Sequence, residues 1–72
     1  MEIVRISTGP YGIVVVFRAI PGQWHRLEFK DALDAVSWNE ASDSIAYFTV
    51  ESLVDFSYDQ SAQRFYRVVV VE

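Results

Sequence analysis

His25 is the only histidine of the chain, Lys30 is its only lysine, and there is no cysteine. A histidine that acts as general base or metal ligand needs partners at a fixed spacing. In "QWHRLEF" the neighbours of His25 are Trp24 and Arg26, and no metal-ligand spacing surrounds it. A core or surface histidine is the plainer reading. Lys30 follows Phe29 at the end of a β-type run, where a solvated terminus is expected and the desolvated pocket of a Schiff-base lysine is not. Asp31 and Asp34 stand three apart and would share a helical face. Paired carboxylates can perform hydrolysis, but that chemistry needs a cleft, which 72 residues rarely supply beside a core. Capping of a short helix explains both acids equally well. Seven serines occur without a G-x-S-x-G elbow, and neither a Walker loop nor a G-x-G-x-x-G is present. The expectation is a protein that is not an enzyme and uses no metal or cofactor.

Charge is more informative. The net charge is −4, but residues 1–30 sum to +2, residues 31–63 to −7 and residues 64–72 to +1. The middle segment carries Asp31, Asp34, Glu40, Asp43, Glu51, Asp55 and Asp59 with no Lys or Arg. Such a field repels nucleic acid and attracts a basic partner; a solvated acidic surface is the plainer alternative. Arg18, Arg26 and Lys30 do mix with Phe17, Trp24 and Phe29, but three bases beside a −7 segment make a poor nucleic-acid groove.

The elements that would position these residues are mostly strands. "EIVRIST", "IVVVFRAI" and "WHRLEF" are β-type runs separated by the turns "GPYG" and "PGQ", which predicts a three-stranded antiparallel meander. "DALDAVSW" reads as a short helix capped by Asp31, with Leu33 and Val36 on one face; the competing reading is a strand at 36–38 that turns through "NEASDS". "SIAYFTV" reads as a strand and "ESLVDFSY" as its continuation after a bend. "DQSAQ" reads as a turn, and "RFYRVVVV" as a final strand in hairpin with residues 53–58. Phe48, Phe56 and Phe65 are expected to anchor the sheet. No linker or repeat divides the chain, so residues 1–72 form one domain.

Parity sharpens this. In the second strand Ile13, Val15, Phe17 and Ala19 form one wholly apolar face, and Val14, Val16, Arg18 and Ile20 the other. In the last strand Tyr66, Val68 and Val70 oppose Phe65, Arg67, Val69 and Val71. Each second face is apolar with one embedded arginine, the composition that interfaces favour, and needs a cover. The expected fold is therefore α+β and β-dominated: a small, strongly curled antiparallel sheet of about five to six strands with one short helix. An all-β SH3-like barrel is the alternative.

The expected function is a small acidic protein-binding module. Its partner would be a protein with a basic surface, not nucleic acid or a membrane, met by the seven carboxylates with Trp24, Tyr11 and Trp38 as anchors. In size and charge, though not in sequence, it is similar to phage and mobile-element inhibitors of anti-CRISPR or anti-restriction type, whose carboxylates stand in for phosphates. The alternative is a homo-oligomeric subunit, such as a homodimer, that associates through Arg18, Phe65, Arg67, Val69 and Val71. A cytoplasmic, intracellular location is expected, since "MEIVRIST" lacks a signal-peptide pattern and the longest apolar runs fall far short of the roughly 18 residues of a membrane helix.

Overall fold

The computed structural model describes residues 2–58 and 63–72. Six strands occur in the order β1 (Ile3–Gly9), β2 (Gly12–Arg18), β3 (Trp24–Lys30), β4 (Asn39–Ile45), β5 (Val50–Asp55) and β6 (Phe65–Val71). They form two unclosed three-stranded antiparallel sheets, β1-β2-β5 and β4-β3-β6. Ile13, Val15, Phe17 and Leu53 of the first sheet meet Leu27 and Val68 of the second, so the core lies between the sheets. The wholly apolar faces of β2 and β6 do point inward, with Val15, Phe17 and Val68 essentially inaccessible to water. Burying such side chains is worth about 1.5–3 kcal/mol each.

Several expectations need correction. The three-stranded meander is broken: β2 pairs with β1 and β5, and β3 crosses to the second sheet. Side-by-side pairing would leave the inner faces of β2 and β3 open, whereas placing them in opposed sheets buries Phe17 against Leu27. β6 does not form a hairpin with β5 but pairs with β3 from Trp24↔Val71 to Lys30↔Phe65. The expected turn at 59–63 lies, apart from Gln63, outside the described residues.

No helix forms at 31–38. One backbone bond, from Ala35 N–H to Ala32 O at 3.1 Å, closes a single turn there. A helix this short is unstable without a packed face, and Leu33 and Val36 face solvent. Asp31, the expected cap, instead binds Arg64. The polar "NEASDS", a turn in the competing reading, lies within β4, held by its ladder to β3 with a bulge between Leu27 and Glu28. Residues 46–49 of the expected strand "SIAYFTV" form a loop. The expected anchors are displaced as well: Phe48 and Phe56 are exposed and Phe65 is half-buried, while Phe17 and Phe29 fill the core. Neither a strongly curled sheet nor a closed barrel is present. β4 instead approaches β5, where the Ser42 hydroxyl donates to Val54 O at 2.8 Å.

The "GPYG" turn is as expected: Gly9 pairs with Gly12 across Pro10 and Tyr11. Gly12 has φ +149°, and a Cβ placed on it would collide with the carbonyl oxygen of Asp55. Gly12→Ala should therefore cost at least about 2 kcal/mol through backbone strain and displacement of β5, read as a lower urea midpoint.

Candidate interaction surface

Three groups of side chains could do chemistry or bind. The first is buried. The Asp55 carboxylate, inaccessible to water at the end of β5, accepts from Arg64 Nη1 at 2.7 Å, Tyr66 Oη at 2.8 Å, and Ser57 Oγ and N–H at 2.7 and 3.0 Å. Arg64 also reaches Asp31 at 3.1 Å and stacks over Phe29 at 3.9 Å. Burial pushes the Asp55 carboxyl up, but its bonds from Ser57, Arg64 and Tyr66 outweigh this and hold it below the usual aspartate range. Burial, and then the bond to Asp55, raise the Tyr66 phenol. Both oxygens of the Asp55 carboxylate are occupied from within the chain, so the cluster ties Ser57, Arg64 and Tyr66 to the end of β5.

The second group lies on the outer face of the β4-β3-β6 sheet. Glu28 bonds Arg67 at 2.7 Å, and Arg26 bridges Glu40 at 3.1 Å. Trp38 packs under two cations, Arg67 at 4.3 Å and Lys30 at 4.7 Å from its ring centre. These contacts answer how the second face of β6 is covered: by cross-strand side chains and Trp38, not by a helix.

The third group is at one end of the molecule, where the β2–β3 and β4–β5 connections meet. Ala19 N–H donates to Thr49 O at 2.8 Å, Gly22 N–H to Ala46 O at 2.9 Å, and Ala46 N–H to Gln23 O at 3.0 Å. The Glu51 carboxylate accepts from the N–H groups of Tyr47 and Phe48 at 2.7 and 2.9 Å. The backbone of this loop is thus fixed at both ends, yet the Tyr47 and Phe48 side chains are 73% and 70% exposed. Ile20, Trp24 and Val50 are exposed beside them. Trp24 stands between Ile45 and Val71 in a cross-strand row on the outer face of its sheet. Fixed backbone under exposed aromatic rings lowers the ordering cost of binding.

The bonds from Tyr47 and then Phe48 hold the Glu51 carboxyl below the usual glutamate range. A depressed value means that the cap is complete above that range and is lost as the pH falls through it. Glu51→Ala, or acid, should therefore lower the protection of the Tyr47 and Phe48 amides, measured by hydrogen exchange against their intrinsic rates, while leaving the β2 and β5 amides protected.

The residues expected from sequence do not form one surface. Of the six described acids, Asp31, Glu40 and Asp55 are ion-paired and Glu51 caps the loop, which leaves Asp34 and Asp43 unpaired; Asp59 lies outside the described residues. Among the anchors, Trp24 belongs to the aromatic end, Trp38 is packed under its two cations, and Tyr11 lies at the opposite end near Phe56. Of the expected oligomer face, Arg18 is on β2 of one sheet, while Phe65, Arg67, Val69 and Val71 are on β6 of the other. Sequence reasoning missed Tyr47, Phe48, Ile45 and Val50. A signal existed: two consecutive aromatics in a strand buried on one face cannot both point inward.

Among the described residues no pocket is present, no three His, Cys, Asp or Glu side chains could share a metal ion, and no helix is long and apolar enough to cross a membrane. The chain matches no protein-family model, no curated protein and no solved structure.

Proposed function

We propose that this chain is a non-catalytic protein-binding module that docks through its aromatic end. One observation carries the reading: Tyr47 and Phe48 are held out to solvent by a hydrogen-bonded loop, next to the Ile45–Trp24–Val71 row. Exposed aromatic side chains on a pre-ordered backbone are the usual composition of interface hot spots.

Charge complementarity gives the partner its chemistry. Asp43 lies on β4 and Glu72 follows the end of β6, the two strands that flank Trp24, whereas Arg18 is bound to Glu2 at 3.2 Å and Arg26 to Glu40. The rim is left acidic, so the partner offers an apolar patch bordered by basic residues. An inhibitor that copies a nucleic-acid backbone is a less favoured form of this module, because four of the six described carboxylates of the acidic segment 31–63 are already engaged within the chain.

Photo-crosslinking in the source cell tests the proposal. A benzoylphenylalanine at position 48 should yield a specific adduct with one protein, and one at Ser7 of β1 should not. Adducts at Ser7 alone, or at neither position, would exclude docking at this end.

A further inference from the structure

We infer that His25 is a proton-operated latch on the aromatic end: the docking loop is closed while the ring is neutral and opens when the ring takes up a proton. The inference rests on the reading of that end as the docking site and adds its regulation.

The geometry admits one protonation state. His25 is 1% exposed. Its Nδ1 is 3.0 Å from Gln23 O, and a carbonyl oxygen can only accept, so Nδ1 carries the hydrogen. The Ile20 N–H donates to Nε2 at 3.2 Å, so Nε2 must present its lone pair. Both bonds run to the β2–β3 connection, which makes the ring a brace inside that corner. A proton delivered from solvent to Nε2 would set two N–H donors against each other and bury a charge.

Little around the ring compensates. From β2 the Phe17 ring lies 5.4 Å away, and the cross-strand neighbours are Ser44 of β4 and Val70 of β6. The Glu51 carboxylate of β5 is a charged group near enough to interact with the ring electrostatically. Glu51 attracts an imidazolium, but it also holds the Tyr47 and Phe48 amides, so any movement toward the ring loosens the same loop. Displacing residues 20–23 also strains the bonds Gly22–Ala46 and Ala46–Gln23, which carry the loop. One protonation thereby acts on both supports of the exposed rings.

Amide exchange of the whole chain across a pH series, corrected for intrinsic rates and read beside the ring ¹⁵N signals of His25, tests the latch. Protection at Ile20, Gly22 and Ala46 should fall roughly tenfold or more, the effect of one lost buried hydrogen bond. That fall should follow the ring's titration while Val15 and Leu53 stay protected. His25→Gln, whose amide can donate to Gln23 O and accept from Ile20 N–H without titrating, should show no such step. Unchanged corner protection, the same step in the Gln variant, or simultaneous loss at Val15 and Leu53 would each overturn the latch. Should the variant not fold, the native chain alone decides. No partner is needed, so a failed latch leaves the docking reading intact, and failed crosslinking at position 48 leaves the exchange result readable.

Discussion

Asp55→Ala should lower the stability of the chain by about 3–5 kcal/mol. A domain of this length has roughly 4–11 kcal/mol in total, so the variant should be largely unfolded in mild urea. The size follows from burial. The carboxylate has no contact with water and satisfies Arg64, Tyr66 and Ser57 together. Its removal leaves the Arg64 guanidinium beside Phe29 and the Tyr66 hydroxyl without their principal acceptor. Asp31→Ala is the internal comparison: it removes the exposed partner of the same arginine and should cost under about 1 kcal/mol. The pH dependence has a definite sign. The Asp55 value is depressed in the folded state, so its contribution is complete above the ordinary aspartate value of about 3.9 and is lost as the pH falls through the folded value. Urea titrations at neutral pH and at successively lower pH should show the stability gap between the native chain and Asp55→Ala narrowing in acid.

Tyr47→Ala combined with Phe48→Ala should abolish partner binding while sparing the fold. Each ring truncated at a hot spot costs about 2 kcal/mol or more, about thirtyfold in Kd. Neither ring belongs to the core, and exposed substitutions away from special features stay within about 0.5 kcal/mol. The loop backbone should persist, because Glu51 and the β2–β3 connection hold it through main-chain groups. Thermal unfolding of the double variant should therefore overlay that of the native chain.

The inward faces were legible in the sequence because strand parity is a local property. Ile13, Val15 and Phe17, and Val68 opposite them, follow from the two-residue period alone. Which strand pairs with which was not legible. "PGQ" suits a hairpin, yet it here turns the chain from one sheet to the other, and only the opposed burial of Phe17 and Leu27 decides between the two. β4 was hidden for a different reason. Asn39 to Ser44 carry little β propensity, and their ladder to β3 overrides it. The helix expected at 31–38 had a cap and a spacing but no apolar surface to lie on.

The candidate site was half legible. Trp24 was placed outward by its alternation with His25 and Leu27, as found. The acidic segment looked like a surface because charge counts ignore pairing; in the fold Arg64 and Arg26 reach back to it from distant positions. The composition around Tyr47 and Phe48 suits a strand, and their exposure follows from loop bonds to Ala19, Gly22 and Gln23 that no local pattern encodes.

The claim that this end of the molecule docks the partner is tested most directly by calorimetric titration of the crosslinked partner against two double variants. Tyr47→Ala/Phe48→Ala strips the aromatic end, and Tyr11→Ala/Phe56→Ala strips the opposite one. Binding should fall roughly a hundredfold or more for the first and stay near-native for the second. Native affinity for the first variant, or loss confined to the second, would contradict it.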